Sequence, residues 1–397
     1  MSSLYSISNI DFHEHNQEVK EVWDRFNARC PIRVPIMFGF NTRYYILNRE
    51  ANPHGVSFKE YTENPDVMFD MQLTFAHWLR HNVLQDAELG IPENGWQVNI
   101  DFQNFYEAAW LGCPIEYFAD QVPDTVPVLT DDKKNMLFDR GLPDPFSGLM
   151  EKNLVYYEYF KKKAKDFTFY GKPVTTVVPA ALGTDGPLTV AANLRGATEL
   201  FMDFYEDPDY VHQLLDYITE ATIQRLKAWW KLVGWAEKID YWSFADDSIQ
   251  NISVEMYRDF VMPYHRKLID TLGGKGPYRI HLCGDASRHF LTLKNELNIW
   301  SFDTGFPIDL GEMRRVLGPE VRLEGGPDIN LLLNGTPQQV RDEVKRILSS
   351  GVMEGGNFIL REGNNMAPYT PLENIEAMYE AGKEWGRYES ISPQGGA

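Results

Sequence analysis

Short apolar runs alternate with longer amphipathic stretches along most of this chain. Eight runs stand out: Arg33–Phe38 (RVPIMF), Trp96–Asp101 (WQVNID), Pro173–Pro179 (PVTTVVP), Ile239–Phe244 (IDYWSF), Tyr278–Cys283 (YRIHLC), Asn298–Phe302 (NIWSF), Val321–Glu324 (VRLE) and Asn357–Leu360 (NFIL). Strands covered on both faces read as brief apolar runs, and helical patterns between them mark βα units of a parallel sheet. Eight such units close a barrel, so the pattern predicts an α/β fold, a (β/α)8 TIM barrel. One domain is expected over residues 1–389. The last residues, 390–397 (SISPQGGA), carry no periodicity and are expected to be a disordered tail.

The intervening helices carry clear punctuation. Asp207-Pro208 opens a long amphipathic helix that stops near Gly234, and Ser253 caps another that runs through Pro263 to Gly273-Gly274. A proline inside a helix removes a donor and crowds the preceding turn, so a kink is expected at Pro263. Thr336-Pro337 with Gln339, and Thr370-Pro371 with Glu373, read as capping boxes with proline at the first helical position. The early connections are long. Residues 39–95 include a helix from about Asp66 to Asp86; residues 102–172 include a Pro-rich stretch near Pro123–Pro145 and a helix near Met150–Lys165. Insertions of this size in a barrel form lids or partner surfaces.

Composition narrows the picture. The 397 residues are 43% hydrophobic and 24% charged, with a formal net charge of −19. Such a chain repels phosphate backbones, which argues against a nucleic-acid partner. The three cysteines, Cys30, Cys113 and Cys283, are odd in number and far apart, which favours a reducing, cytoplasmic compartment over a disulfide framework. Residues Met1 to Gln17 lack the order of a signal peptide, and no apolar run approaches the ~20 residues needed to span a bilayer, so no membrane partner is expected. Aromatics make up 13%, which suits a large core and equally a pocket for flat ligands.

Active sites of parallel barrels gather at the carboxyl ends of the strands. Those ends supply Asn41 and Arg43, then Asp101, then Asp246 and Asp247, then His281 and Cys283, and finally Asp303, Glu324, Asp328, Glu362 and Asn364. Residues two apart on a strand share a face, so His281 and Cys283 both point toward the axis. An imidazole with a thiolate is a natural zinc pair, and a ring carboxylate must then complete the site. The bland alternative is a buried thiol beside a packed histidine. Asp246 and Asp247 serve as catalytic or ligating carboxylates, or else cap the next helix. His77 and His81, four apart in HWLRH, lack the glutamate of a metalloprotease motif and read as packing residues.

Several segments resemble the uroporphyrinogen decarboxylase superfamily: FYEAAWLGCPIEYFADQVP, LGTDGPLTVAANLRGATELFMDFYEDPDYVHQLL, RIHLCGDASRHF, LEGGPDINLLLNGTPQQV and NFILREGNNMAPYTPLENIEAM, in that order from about residue 100 to 386. The resemblance implies the barrel. True decarboxylases carry Arg-Gln-Ala-Gly-Arg after the first strand, where this chain reads FGFNTRYY with Arg43 alone; they also carry a tyrosine in the Gly-Pro segment and a histidine at the position of Asn364. The corrinoid-linked methyltransferases of the superfamily bind zinc through His-x-Cys, matched by His281 and Cys283, and through a later cysteine, where this chain has Asn364.

The resemblance therefore implies a zinc-dependent methyltransferase that takes a methyl group from a methoxylated aromatic, an O-demethylase component, and passes it to a corrinoid carried by a partner protein. Glu362 is expected as third zinc ligand, with Asp246 or Asp247 as alternatives; Asp246 or Asp247 would protonate the leaving phenolate. Phe38, Phe40, Asn41, Arg43, Tyr44, Asp101, Phe102, Phe105 and Asn364 are expected around the substrate. Two other readings stay open: a porphyrinogen decarboxylase, and a non-catalytic barrel that holds an aromatic ligand or a corrinoid protein.

Overall fold

In the computed structural model, residues 6–388 are described; the expected tail, 390–397, lies outside them. Seven of the eight runs form strands: Trp96–Asn99, Lys172–Val178, Ser243–Ala245, Tyr278–Leu282, Ile299–Thr304, Arg322–Gly325 and Phe358–Leu360. Positions four to eight of the barrel make one continuous parallel sheet, and positions two and three pair separately, also in parallel. The first run joins the eighth through a single parallel bridge, Ile36 to Leu360. Its other edge meets a loop rather than the second strand. Ile36 N–H donates to Asp86 Oδ2 (2.7 Å), Asp86 N–H returns a bond to Ile36 O (2.8 Å), and Phe38 N–H donates to Gln85 Oε1 (3.0 Å).

Strand alternation sorts the side chains into two sets. Phe244, Ile280, Phe302, Leu323 and Phe358 lie in register across five strands, and all are buried. They face the helical layer: Phe302 stacks on Phe290 of the helix Ser287–Leu297, with centroids 4.6 Å apart. Burying side chains of this size stabilises the fold by about 1.5–3 kcal/mol each. The alternate positions face the axis and are mostly polar. Ser243, Arg279, Ser301 and Arg322 form one layer; Ala245, His281, Asp303 and Glu324 form the next, nearer the carboxyl ends. Branched apolar residues ordinarily fill a TIM barrel, so this half of the barrel is a polar shaft.

The long helix opened by Asp207 runs over Pro208–Val233 and stops at Gly234, as the punctuation predicts. The Ser253 helix bends through a π-helical turn, Tyr257–Val261, directly before Pro263, which is where the missing donor predicts a kink. Thr336 and Gln339 form their capping box. Thr370 does not: its hydroxyl donates to Ala367 O (2.8 Å), and the last helix begins at Leu372 with Pro371 outside it. The fourth strand also departs from its run. Ile239 pairs with Gly273 at a lone bridge, Tyr241 turns the chain at φ 55°, and the strand starts only at Ser243.

The early insertions contain helices Pro65–Asn82 and Leu149–Ala164 close to their expected places, plus a short hairpin of Ile115–Glu116 with Asp124–Thr125. A helix over Phe12–Asn27, capped by Asp11, was not signalled by the apolar runs. Its Trp23 Nε1–H donates to Asp86 O (2.8 Å). Asp86 thus gathers three elements. It is fully buried and makes a two-pronged pair with Arg33 (2.5 and 2.7 Å), and the Tyr379 hydroxyl donates to it at 3.1 Å. Removing one partner leaves a buried charge unmatched. Asp86→Ala is therefore expected to destabilise the fold by about 3–5 kcal/mol in urea denaturation; a loss below about 1 kcal/mol would mean that the first strand is held by other contacts.

Candidate active site at the carboxyl face of the barrel

Tyr278–Leu282 brings Arg279 and His281 to the shaft, and Cys283 follows on the same face. His281 Nε2 lies 3.2 Å from Cys283 Sγ, so the pair expected to face the axis together does so. Gly284, at φ 67°, then turns the chain away; a Cβ there would sit 1.7 Å from Gln250 Oε1. Asp247 Oδ1 accepts from Cys283 N–H at 2.7 Å. Ligand atoms of Asp247, His281 and Cys283 all lie within 4.8 Å of one another, the one such group of three among the described residues. The other imidazole nitrogen, His281 Nδ1, is held 3.0 Å from Asp303 Oδ2.

This donor set fits zinc. Nitrogen, sulfur and oxygen converge, and a carboxylate already fixes the remaining ring nitrogen, the arrangement that orients metal-bound histidines. Asn364 stands against the sulfur: the Cys283 thiol donates to its Oδ1 at 3.0 Å. Burial disfavours charge on His281, but the hydrogen bonds to Asp303 and Cys283 outweigh it and push the imidazole up to about 11. Burial and neighbouring Asp247 raise the Cys283 thiol, against the lowering effect of His281.

The other carboxylates have different places. Asp246 is fully buried and caps the helix Pro187–Arg195, accepting from Leu188 N–H (3.0 Å), Thr189 N–H (2.8 Å) and the Thr189 hydroxyl (2.8 Å). Its Oδ2 also lies 2.9 Å from His265 Nε2. Gly186, at φ 85°, makes this approach possible, since a Cβ there would lie 2.5 Å from Asp246 Cβ. All its acceptor directions are taken up by the scaffold, so Asp246 is placed as a positioning residue. Glu362 is also fully buried; Gly39 N–H (2.8 Å) and Arg361 Nη2 (3.2 Å) donate to its Oε1, and it is absent from the converging trio. Burial pushes its carboxyl up to about 7.

A cavity of about 430 Å³ is lined by Phe40, Asn41, Arg43, Asp101 and Asn365 among others; none of the trio lines it, and Asn365 follows Asn364, the acceptor of the Cys283 thiol. Asn41 caps the helix Thr42–Leu47, and Asp101 is occupied by Thr42, Tyr61 (2.9 Å) and Gln103 (2.6 Å). Arg43 donates to Gln103 and Asn104. Among the aromatics expected at the substrate, Phe40 lines the cavity; Phe38, Tyr44, Phe102 and Phe105 are buried. The Tyr44 hydroxyl donates to Thr370 O (2.8 Å), and Phe102 and Phe105 pack into a core cluster with Tyr156 and Phe160. His77 and His81 stack on each other at 4.1 Å, and Tyr170 stacks on His77, as packing residues do.

One residue escaped the sequence reading. Asp185 sits in the loop after the third strand, half-buried, with its N–H donating to Glu107 Oε2 at 2.6 Å. Glu107 is itself locked in a buried pair with Arg225. Burial first, then the negative Glu107 and Asp247, push the Asp185 carboxyl up to about 8, against the opposing pull of Arg225 and His281. The signal lay in Gly-Thr-Asp-Gly-Pro: an acid before a helix N-terminus at a strand end.

Comparison with known proteins places this arrangement. Its class is a parallel α/β barrel with a candidate metal-binding trio at the carboxyl mouth. The uroporphyrinogen decarboxylase (URO-D) family profile matches residues 100–385, and the chain belongs to that family. A methylated-thiol–coenzyme M methyltransferase of Methanosarcina mazei is 30% identical over 210 residues, 52% of this chain and 53% of that protein, so the match spans about half of that relative. A uroporphyrinogen decarboxylase of Prochlorococcus marinus is 23% identical over 86% of this chain and 89% of its own length. A solved structure of a methyltransferase from Methanosarcina mazei superposes with a TM-score of 0.63 at 20% identity, covering 92% of this chain and 98% of the other, which shows the shared fold. Within the family, the chain stands nearer the methyltransferase branch than the decarboxylases. Among the described residues no helix is long and apolar enough to cross a membrane, and all three cysteines are free.

The raised Asp185 carboxyl has a direct consequence. An unfolded Asp releases its proton near pH 4, whereas the folded chain keeps it to about 8. The folded state therefore binds the extra proton inside this window, and stability falls as pH rises through it, then levels off. Asp185→Asn should lose less stability than the wild type when urea midpoints are compared at about pH 5 and about pH 9. Parallel curves for the two proteins would show that Asp185 titrates normally.

Proposed function

We propose that this barrel is a zinc-dependent methyltransferase that demethylates a methoxylated aromatic and hands the methyl group to a corrinoid carried by a partner protein. The convergence of Asp247, His281 and Cys283 at the barrel mouth carries this reading, and the methyltransferase named among its relatives supports it. Asp247, His281 and Cys283 would hold the metal, with Asp247 in the third place rather than Glu362. Zinc bound there supplies a Lewis acid, and its oxygen, nitrogen and single sulfur make it harder than a thiolate-rich site, which suits an ether oxygen better than a thiol.

The chain's own residues do the rest. Phe40 offers a flat wall, and Arg43, the one cation lining the cavity, offers a guanidinium to a ring carboxylate or phenol oxygen. The methyl–oxygen bond would break with its electron pair left on oxygen, and a Co(I) corrinoid brought by the partner would be the methyl acceptor, supplying the electron pair. Asp185, whose carboxyl burial and Glu107 raise, would be the group that protonates the departing phenolate. Asp303 keeps His281 oriented throughout, as a positioning residue. Asp246 fixes the loop from which Asp247 projects.

The test combines metal analysis with turnover of 4-hydroxy-3-methoxybenzoate, using reduced cobalamin as acceptor under anoxic conditions and the methyl-cobalt absorbance as readout. The double change His281→Ala/Cys283→Ala is expected to abolish zinc and methyl transfer together; retained turnover without metal sinks the mechanism. Asp303→Asn should weaken zinc affinity about 10–100-fold while the fold survives. Asp247→Ala is expected to release zinc and Glu362→Gln to keep it. The opposite pattern would make Glu362 the third ligand.

A further inference from the structure

A second cavity is at the other end of the shaft. It measures about 600 Å³ and is lined by the first residues of consecutive barrel strands, Ser243, Tyr278, Arg279, Ser301 and Arg322 among them. It therefore opens on the amino-terminal face, opposite Asp247, His281 and Cys283. Strand register makes its floor: Ser243, Arg279, Ser301 and Arg322 are side by side on four adjacent strands. Two small hydroxyl residues alternate with two guanidinium groups, so the floor offers donors with open space between them.

The cations there are incompletely matched. Arg279 Nη2 reaches up the shaft to Asp303 (3.1 Å) and Glu324 (2.9 Å). Arg322 donates to Asn357 Oδ1 at 3.4 Å and lies over the face of Phe26, with the charge of Glu324 acting on it. Arg29, at the rim, forms no ion pair among the described residues, and neither does Arg322. The Ser301 hydroxyl is buried with no hydrogen-bond partner, an unusual state for a polar group unless a ligand or water completes it. Glu320 is the single acid among the lining residues. With Arg279 matched by Asp303 and Glu324, the lining leaves Arg29 and Arg322 facing Glu320. The walls are flat and aromatic: Tyr278, Trp300 and the exposed Tyr241.

We propose that this amino-terminal mouth is a second binding site, for a small molecule that carries a phosphate or carboxylate on a flat ring. The oxyanion would sit between Arg322 and Arg29 and accept from the Ser301 hydroxyl, as guanidinium groups recognise two oxygens at once. The ring would lie against Trp300 and Tyr278. The site is independent of the zinc trio, so its test does not depend on methyl transfer.

Titration calorimetry of the full chain with phenyl phosphate, benzoate, inorganic phosphate and phenol separates the parts. Phenyl phosphate or benzoate should bind more tightly than phosphate or phenol alone, and the stronger of the two identifies the anion. Arg322→Met and the rim change Arg29→Met should each weaken that binding by about tenfold or more. Binding should persist when His281→Ala/Cys283→Ala is combined with Arg43→Met, which together disable the opposite face. Absence of binding, affinity untouched by both the Arg322 and Arg29 changes, or loss in that combined variant would overturn the proposal. Should Arg322→Met fail to fold, Arg29→Met at the exposed rim decides alone. Phosphate that binds as tightly as the ring-bearing anions marks an adventitious ion only.

Discussion

One buried carboxylate ties the two ends of this barrel together. Asp303 Oδ2 accepts from Arg279 below (3.1 Å), from Arg361 beside it (2.9 Å) and from His281 Nδ1 above (3.0 Å). Burial raises a carboxyl, yet hydrogen bonding to His281 and the positive charges of Arg361 and Arg279 hold Asp303 below the usual carboxylate range. An isolated charge in this position would be unaffordable; three cationic donors make it stable. The geometry of Asp247, His281 and Cys283 depends on this, because the ring that presents Nε2 to Cys283 is oriented by the bond at its other nitrogen.

The same arrangement explains why the shaft is polar. Each ion inside it needs a partner, and the parallel register supplies one at each level: Arg279 two residues below His281 on one strand, Asp303 and Glu324 beside them on the next two. Apolar packing is displaced to the outer faces, where Ile280, Phe302 and Leu323 meet the helices. Stability and chemistry are thus divided between alternate residues of the same strands. Such a shaft gains less from burial than an apolar barrel core, and its charges are justified by what they position.

Much of this was legible in the chain. Two-residue alternation alone put His281 and Cys283 on one face, and the eight apolar runs counted the barrel. The errors have physical causes. Phe102 and Phe105 follow a strand end, where the active face is expected, but the long second insertion folds back over them, and no local pattern encodes that cover. Asp246 and Asp247 are adjacent and look alike; only the position of Thr189 and His265, remote in sequence, makes the first a helix cap and leaves the second facing Cys283. Asp185 was hidden because its raised affinity for a proton comes first from burial and then from Glu107 and Asp247, all of them products of tertiary folding. Thr370 shows the limit of motifs: spacing permitted a capping box, but its hydroxyl found a nearer carbonyl at Ala367.

Asn364 is where the chain departs most from the methyltransferase pattern, and its setting gives that departure a meaning. A second thiolate here would add negative charge beside Cys283, whose N–H already donates to Asp247. A neutral amide instead accepts from the Cys283 thiol at 3.0 Å without adding charge. The carboxylate of Asp247 can then stand in the third place, where a second sulfur anion would repel it. One sulfur, one nitrogen and one oxygen converging offer a metal ion a harder donor set than a pair of thiolates with the same imidazole would.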